Sequence, residues 1–535
     1  MTESTSQGRR NPAAKGAARG VATAVPAALI ARLAKGVTAS GDATAQTLAP
    51  LTGEPLALLP VSGTEDVERA FADARRAQPG WAALSVRHRA GVLLRFHDLL
   101  LKRQDEVLDL IQAETGKARL HAFEEVMAVA SAARHYGRRA AAYLKDRRRG
   151  GAVPGLTSAV EARRPKGVVG QISPWNYPLE LSVGDALPAL LAGNAVVNKP
   201  DTQTALTALW ARELFVEAGL PPQVWQIVLG DGPVVGPEVV ERADYVAFTG
   251  STRTGRDVAR RAAERLIGAS LELGGKNAML VLADADLDKA AAGAVRACFS
   301  SAGQLCISIE RLFVHRSVAD AFLAKFAEKT SALRLGGGLA YGADMGSLVS
   351  ARQLETVTRH VEEAVKAGAT VLAGGQARPD LGPLFFEPTI LDGVTPDMAV
   401  CAEETFGPVV SVYRFDTEDE AVTAANATPY GLNSSVWTKD TARGRKVAAR
   451  LHTGTVNINE AYAAAYGSVA SPMGGMGDSG LGRRHGSEGI LRYTEAQTVA
   501  VQRLLPIGPS MGMDDAKFAE FFTTGLKLMK AFRLK

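Results

Sequence analysis

Cys306 has the side chain and the surroundings of an enzymatic nucleophile. It ends the segment Ala302-Gly303-Gln304-Leu305-Cys306, which follows an apolar stretch at 290–299. Backbone N–H dipoles at such a turn can stabilise a thiolate, the form of cysteine that attacks carbonyl carbon atoms. Single cysteines are also common as unreactive core residues, and we assign that role to Cys298 and Cys401.

Glu272 is an acidic residue that can serve such a nucleophile as a base. It lies in Leu271-Glu272-Leu273-Gly274-Gly275-Lys276, an apolar run closed by two glycines. Burial in such a run raises the pKa of a carboxyl group toward neutral pH, where the group can take up protons. From this segment alone, a strand-end glutamate paired with Lys or Arg is an equal alternative.

Three further segments at the ends of predicted strands carry groups that can bind a ligand. Asn176, after Pro174-Trp175, can direct its amide at a developing oxyanion. Lys199 can bind a ribose hydroxyl or a phosphate, because doubly wound folds hold ligands at strand ends. Gly250 and Ser251 precede a predicted helix and can offer N–H groups to a pyrophosphate. Taken singly, these patterns are more often a proline-rich turn with a hydrogen-bonded asparagine, a solvated lysine and an ordinary glycine turn before a helix.

The elements that must position these residues follow an α/β pattern. Residues 64–139 have helical periodicity, and short apolar runs alternate with helix-length segments after them. This alternation predicts a parallel, doubly wound sheet. The predicted strands are 167–172, 195–198, 224–229, 245–248, 269–272 and 278–282, and the helices between them include 203–218 and 253–266.

A second α/β pattern covers about 287–475. Its predicted helices are 318–333 and 354–367, and its predicted strands are 370–372 and 409–413. The segments 158–164 and 491–501 alternate apolar and polar residues without a neighbouring βαβ unit, so we expect them to pair outside the two main sheets.

Composition excludes several classes of protein. The 61 basic residues are nearly balanced by 56 acidic ones, which argues against a nucleic acid partner. Three cysteines are too few for a disulfide framework and indicate a reducing compartment, so we expect a cytoplasmic protein. No apolar run is long enough to span a membrane. The first 40 residues, with scattered prolines and arginines, predict a flexible tail.

Together the segments resemble the aldehyde dehydrogenase superfamily from about residue 51 to residue 498. The order of the Pro-Trp-Asn, Asn-Lys-Pro, Phe-Thr-Gly-Ser, Glu-Leu-Gly-Gly-Lys and Gly-Gln-Leu-Cys segments matches the motifs of that family. Four further segments match as well. They are Glu404-Thr405-Phe406-Gly407-Pro408, Pro429-Tyr430-Gly431-Leu432, Gly454-Thr455-Val456-Asn457 and Ser479-Gly480-Leu481-Gly482.

The resemblance implies a mechanism. Cys306 attacks an aldehyde, the Asn176 amide and the Cys306 N–H hold the oxyanion, hydride passes to NAD(P), and Glu272 activates the water that hydrolyses the thioester. It also implies the residues that bind the cofactor, and no metal ligand. The cofactor-binding residues are Trp175, Asn176, Lys199, Pro200, Asp201, Thr202, Gly250, Ser251, Leu273, Glu404 and Phe406.

The implied fold has a Rossmann-like cofactor domain, an α/β catalytic domain and a β arm that joins subunits into a homodimer or homotetramer. We place the cofactor domain at 41–150 and 166–274 and the catalytic domain at 275–475. The arm is placed at 151–165 and 486–502, between a flexible N-terminal tail at 1–40 and an amphipathic C-terminal tail at 503–535.

The cofactor and the substrate follow from individual positions. In this superfamily, a glutamate three residues after the strand-end lysine binds the adenosine ribose hydroxyls and would repel the 2′-phosphate of NADP. This chain has Thr202 at that position, which favours NADP while NAD stays possible. The resemblance extends to a bacterial branch named NADP-dependent succinate-semialdehyde dehydrogenase, but Gly184 and Ser300 stand where such enzymes place arginines for the substrate carboxylate. The alternative substrate is an apolar or aromatic aldehyde, bound by Trp175, Tyr177, Phe299 and the alanine-rich loop 461–466. A non-catalytic binding protein is disfavoured, because every catalytic position is occupied.

The C-terminal tail carries aromatic and apolar residues at helical spacing together with basic ones, including Phe518, Phe522, Lys527 and Lys530. Such a helix can dock on its own protein or lie on an anionic membrane surface. We expect docking, within the subunit or across the oligomer.

Overall fold

A six-stranded sheet forms the centre of the first α/β unit. The computed structural model describes residues 25–153, 156–503, 507–509 and 512–533. In the sheet five parallel strands, each rich in apolar residues, are joined by one short antiparallel edge strand. The strand order is Gly480–Leu481, Gly268–Glu272, Tyr245–Thr249, Val168–Ser173, Ala195–Pro200 and Trp225–Ile227.

Helices cover both faces of this sheet, as the predicted alternation requires. The predicted helical region at 64–139 is confirmed as a layer of four helices, Thr64–Ala83, Val86–Lys102, Gln104–Thr115 and Arg119–Leu144. Almost the whole of the helix Pro178–Leu191 is buried between this layer and the sheet, and Trp81 donates to its Leu190 carbonyl at 2.8 Å. The remaining helices of this unit are Ala205–Glu217, Gly232–Arg242 and Thr252–Glu264.

A seven-stranded sheet forms the centre of the second unit. All neighbours are parallel except the first pair, and the order is Thr370–Ala373, Thr389–Asp392, Val409–Phe415, Ile309–His315, Asn277–Val281, Asn433–Trp437 and Thr455–Ile458. The strand that we predicted at 278–282 therefore belongs to this sheet and not to the first one. The helices are Leu287–Phe299, Arg316–Ser331, Ala351–Lys366, Ala399–Ala402, Glu418–Asn426, Thr441–Ala448 and Ala463–Tyr466.

A three-stranded antiparallel sheet stands apart from both units, which confirms the expectation that 158–164 and most of 491–501 pair outside them. Its strands are Thr494–Gln502, Thr157–Pro165 and Arg147–Arg149. Two boundaries of the predicted arm are wrong. The arm includes Arg147–Arg149, because this strand pairs with Thr157–Pro165, and residues Gly486–Leu491 form a helix that contacts the Arg119–Leu144 helix.

The prediction of a flexible N-terminal tail is wrong for residues 25–40, the part of the tail that the structure describes. Residues Ala27–Ala34 form a helix in which Leu33 is buried, and Arg32 points outward to pair with Glu213 at 3.1 Å. Val37 then forms a β-bridge with Ile227. Burial of one apolar side chain and a paired arginine are compatible with a docked helix. Residues 1–24 of the predicted tail lie outside the described residues.

The C-terminal helix Asp515–Ala531 has no buried residue, and Phe521 and Leu526 are 64% and 59% exposed. The expected docking within the subunit is therefore not observed, and docking across an oligomer stays a prediction. In the described part of the chain, no helix is long and apolar enough to cross a membrane, and no three potential metal ligands cluster.

Candidate active site

Two adjoining cavities of about 320 and 230 Å³ lie between the two sheets. Five residues line both cavities and form a shared wall: Asn176, Leu181, Thr249, Glu272 and Cys306. The structure thus brings together the three residues that we predicted to be catalytic.

The loop that presents Cys306 has an unusual backbone. After the Leu287–Phe299 helix, Ser301 and Ala302 have φ of 51° and 55°, and Gly303 has φ of 69°. A Cβ on Gly303 would lie 2.0 Å from a backbone oxygen, so only glycine fits there. Buried His121 supports this conformation, because its Nδ1 accepts the Ser301 N–H at 3.1 Å. A strained loop held by its surroundings is typical of a functional site.

The Cys306 thiol is not activated by its surroundings alone. Burial raises the pKa of Cys306 to about 12, and the nearby Glu272 carboxylate adds to this rise. Stabilisation of the thiolate by local N–H dipoles stays a prediction, and it would act against both desolvation and the neighbouring negative charge. Cys298 is fully buried, as expected of a core residue, and Cys401 is partly buried.

Glu272 ends the strand Gly268–Glu272 with its side chain 5% exposed. Its backbone carbonyl accepts the Gly250 N–H at 3.0 Å, which fixes the strand end. Among the described residues, Oε1 of Glu272 has no hydrogen-bond donor, and the side chain forms no ion pair. Burial raises the pKa of Glu272 to about 7, and Arg484 is the largest opposing influence. The side chain is a carboxyl group that exchanges protons near neutral pH.

Asn176 is held beside the Cys306 loop by its side chain and its backbone. Its Nδ2 donates to the Gln304 carbonyl at 3.0 Å, and its own carbonyl accepts Lys117 Nζ at 2.6 Å. Lys117 pairs in turn with Glu125 at 2.7 Å, and both are buried. Sequence reasoning missed these two positioning residues, because they lie on a distant helix and in the turn before it, and neither belongs to a short motif.

The smaller cavity brings together most of the predicted cofactor residues. Phe406 has φ of 51°, and its ring packs edge-on against Trp175 with centroids 5.5 Å apart. Glu404 accepts the Gly275 N–H at 2.9 Å, and burial raises the pKa of Glu404 to about 8. Of the predicted residues, Trp175, Asn176, Gly250, Ser251, Leu273, Glu404 and Phe406 line this cavity.

Another buried ion pair positions the Glu404–Phe406 corner. Lys276 Nζ lies 2.5 Å from Glu310 Oε2, and Glu310 accepts the N–H groups of Thr405 and Phe406 at 2.9 Å each. Lys276 directly follows the two glycines of the Glu272 segment. The corner that carries Phe406 is therefore tied to the strand end that carries the base.

Lys199, Pro200, Asp201 and Thr202 lie at the end of the strand Ala195–Pro200 and do not line either cavity. Burial lowers the pKa of Lys199. Asp201 accepts the Gln203 N–H at 3.0 Å, and Thr202 Oγ1 donates to the Gly230 carbonyl at 3.1 Å. Because this strand neighbours Val168–Ser173 in the parallel sheet, its end faces the same edge as the smaller cavity.

Part of the larger cavity was predicted as a pocket for an apolar aldehyde. Tyr177 and the predicted loop 461–466 line it, the loop through Tyr462, Ala463 and Tyr466, whereas Trp175 lines the smaller cavity and Phe299 lines neither.

Apart from those of the shared wall, the other side chains that line the larger cavity were not predicted. They come from separate helices and loops, and few of them belong to the motif segments. They include Glu124, Met127, Arg296, Val469 and Arg484. At the two positions that we expected to lack a cation, Ser300 accepts the Tyr462 hydroxyl at 3.0 Å, and Gly184 packs under Glu180.

The comparisons with known proteins agree with this arrangement. The aldehyde dehydrogenase family profile matches residues 37–499. A relative from Mycolicibacterium smegmatis, named "putative succinate-semialdehyde dehydrogenase, NADP(+)", is 52% identical over 90% of this chain and 93% of its own length. A betaine aldehyde dehydrogenase from Cereibacter sphaeroides is 39% identical, over 84% and 92% of the two chains. The NAD+ complex of a Bacillus cereus aldehyde dehydrogenase has a TM-score of 0.83 and 37% identity, and the match covers 87% and 94% of the chains. This chain belongs to the aldehyde dehydrogenase family.

Proposed function

We propose that this protein oxidises succinate semialdehyde to succinate with NADP, through a thiohemiacetal and a thioester on Cys306. The observation that carries the proposal is the shared wall, where Cys306, Glu272 and Asn176 lie between two cavities. One cavity has residues suited to a dinucleotide, and the other has room for an aldehyde. A purely non-catalytic binding protein would have no need for a buried thiol, a carboxyl group with raised pKa and an amide at one point.

The smaller cavity fits the nicotinamide half of a dinucleotide. Gly250 and Ser251 stand at the N-terminus of the helix Thr252–Glu264, where N–H groups suit a pyrophosphate. The Glu404 carboxylate can accept hydrogen bonds from the hydroxyls of one ribose, and Lys199 can donate to the hydroxyls of the other ribose. When bound, NADP supplies the nicotinamide that accepts the hydride from the substrate carbon.

Glu272 accepts a proton in two separate steps of this reaction. In the first, the Cys306 thiol gives its proton to Glu272, and its sulfur forms a bond to the aldehyde carbon. A base is required because burial and the nearby Glu272 carboxylate raise the pKa of Cys306 to about 12, which keeps the thiol protonated until the sulfur–carbon bond forms. The spare N–H of the Asn176 amide and the Cys306 N–H then donate to the new oxyanion.

The second transfer releases the product. After hydride loss leaves a thioester, Glu272 releases its first proton to solvent and then takes a proton from water. The water oxygen bonds to the acyl carbon, and the Cys306 sulfur leaves and takes up a proton. Oε1 of Glu272 is suited to this step because no other donor among the described residues occupies it. Hydrolysis in place of transfer to another acceptor gives a free carboxylic acid.

Arg296 is the group that we assign to the substrate carboxylate. It lies one helical turn before Ser300 and lines the larger cavity, with its side chain 45% exposed. Its contacts to Glu124 and Glu460 are both 3.3 Å, longer than a tight charge-assisted hydrogen bond, so a substrate carboxylate can replace one of them. The name of the Mycolicibacterium smegmatis relative supports the acidic substrate.

The second candidate substrate is an apolar or aromatic aldehyde. The rest of the larger cavity favours it, because Met127, Tyr177, Tyr466 and Val469 offer mainly apolar surface. Partly buried Glu124 and buried Glu180 also line this cavity and would repel a carboxylate if ionised, although burial raises the pKa of both.

Steady-state kinetics over matched aldehydes tests the proposal. Succinate semialdehyde, butanal and benzaldehyde should each be measured with NADP and with NAD. We expect the highest kcat/KM with succinate semialdehyde and NADP. A higher kcat/KM with benzaldehyde supports the second candidate, and no turnover with any of the aldehydes contradicts both.

We also propose a homo-oligomer in the cytoplasm. The strand Thr494–Gln502 is exposed along nearly its whole length, which supports pairing of the arm with another subunit. The three cysteines are free thiols, which suits a reducing compartment. Sedimentation of the purified protein tests the oligomer, and we expect a dimer or a tetramer.

A further inference from the structure

A buried cluster of charged side chains lies under the larger cavity. Arg484 Nη2 donates to Asp185 Oδ2 at 2.5 Å and to Thr249 Oγ1 at 2.6 Å. Arg492 donates to the other oxygen of Asp185, and Glu180 lies 4.0 Å from Arg484. These charged side chains are at most 9% exposed. Burying so many charges is costly, so a cluster in this place calls for a role besides stability.

The contact with Thr249 places Arg484 beside the base. Thr249 and Glu272 are partners on adjacent parallel strands, so their side chains leave the same face of the sheet about 5 Å apart. Met473 and Arg484 also exchange backbone hydrogen bonds at 2.9 and 2.6 Å. Gly474, which follows Met473, lies so close to Glu272 that a Cβ on this glycine would be 3.0 Å from Glu272 Oε1. Arg484 is thus fixed next to Glu272 by both its backbone and its side chain.

We propose that Arg484, held by Asp185, is a positioning residue that keeps Glu272 ionised for deacylation without forming a hydrogen bond to it. This inference rests on the proposed function, in which Glu272 is the base. A nearby positive charge favours the carboxylate over the carboxylic acid. Asp185 and Thr249 engage Nη2 of Arg484, and Glu272 Oε1 has no donor among the described residues. That oxygen can therefore accept the proton of the hydrolytic water.

The electrostatics of the cluster support this role. Arg484 is the strongest influence that lowers the pKa of Glu272 against burial, followed by Arg492, while Asp185 raises it and Arg483 lowers it less. Burial lowers the pKa of His485 to about 4, so this neighbour is neutral near pH 7. The charged or titratable groups that line the cavities or shift this pKa are Glu124, Tyr177, Glu180, Asp185, Arg296, Cys306, Glu404, Tyr462, Tyr466, Arg483, Arg484, His485 and Arg492.

The test is the pH dependence of the deacylation rate, measured in the pre-steady state with succinate semialdehyde and NADP. In the wild type the rate should fall as the pH drops through about 7, because protonated Glu272 cannot accept a proton. Arg484→Gln should move this fall to higher pH. Asp185→Asn keeps an oxygen that can accept from Arg484 but removes a negative charge that raises the pKa of Glu272, so it should move the fall to lower pH. Each shift should be on the order of one pH unit, as for the loss of one nearby charge.

Two further variants separate charge from structure. Arg484→Lys keeps the charge and should give a profile close to that of the wild type. Arg483→Gln removes the neighbouring arginine, which is more exposed, and should shift the profile less than Arg484→Gln. Melting temperatures and NADP binding show whether each variant is folded.

Opposite shifts for Arg484→Gln and Asp185→Asn support the inference. Unchanged profiles, or shifts in the same direction, would overturn it and leave the cluster a purely structural role. If Arg484→Gln does not fold, the expected downward shift in Asp185→Asn still decides, since its absence contradicts the inference. If the proposed function itself is wrong, a different result is expected: Glu272→Gln would deacylate at the wild-type rate.

Discussion

The two cavities of the active site are built in different ways. The smaller one is lined by short segments at the ends of parallel strands, such as Pro174-Trp175-Asn176 and Gly250-Ser251. The larger one is lined by side chains from separate elements, such as Glu124, Arg296 and Tyr462. A cofactor common to many enzymes can be held by local segments, whereas an individual substrate is selected by packing between distant elements. The two cavities should therefore respond independently to substitution, except at their shared wall.

Substitution of the nucleophile should have the largest effect, since Cys306 serves both cavities. Cys306→Ala should abolish turnover with every aldehyde and either cofactor, because the bond-forming sulfur is lost. The fold and NADP binding should survive this small change, which melting temperature and cofactor titration would show. Retention of a tenth of the wild-type turnover would rule out Cys306 as the nucleophile.

Thr202→Glu should change the cofactor preference and leave aldehyde preference alone. A new carboxylate near a 2′-phosphate costs on the order of several kcal/mol before screening, so preference should move toward NAD by roughly 100-fold. The control is Thr202→Gln, which has the same size without the charge. Parallel kcat/KM measurements with NADP and NAD check the shift. Equal preferences in the wild type and Thr202→Glu would show that other groups select the cofactor.

Arg296→Ala should change the aldehyde preference and leave cofactor preference alone. Loss of a charge-assisted contact should raise KM for succinate semialdehyde roughly 10-fold or more, with little change for butanal. Arg296→Lys should retain part of the affinity. A similar loss for both aldehydes would mean that Arg296 shapes the cavity without binding a carboxylate.

Removal of residues 512–535 should have the smallest effect, because the helix Asp515–Ala531 lies outside both cavities. We expect unchanged kcat, a lower oligomer order or melting temperature, and no change in binding to anionic liposomes. Phe521→Lys, on the exposed apolar face, is the matched point variant. If the full chain sediments with the liposomes and the truncated chain does not, the helix docks on a membrane surface and not on another subunit.

Much of the smaller cavity could be predicted, because its residues lie in contiguous segments whose glycines and prolines mark strand ends. The alternation of strands and helices likewise predicted both α/β units. The strand Gly480–Leu481 was not predicted, since two residues carry no periodicity and their place depends on the partner strand Gly268–Glu272.

The larger cavity could be predicted only in part, through Tyr177 and the loop 461–466. Lys117 and Glu125 act on Asn176 from a distant part of the chain, and Arg484 reaches Asp185 across nearly 300 residues. Such contacts depend on how helices pack and leave no short pattern. The rise in the pKa of Cys306 could not be predicted either, because desolvation of a thiol depends on the complete surroundings and not on its own loop.

The central claim is that Cys306 and Glu272 divide the reaction into acylation and deacylation. Intact-mass spectrometry of Glu272→Gln, mixed with succinate semialdehyde and NADP, tests it most directly. We predict a burst of NADPH followed by slow turnover, with an acyl adduct that accumulates on Cys306 and is absent from the double variant Cys306→Ala, Glu272→Gln. Turnover of Glu272→Gln at the wild-type rate without an adduct would contradict the claim.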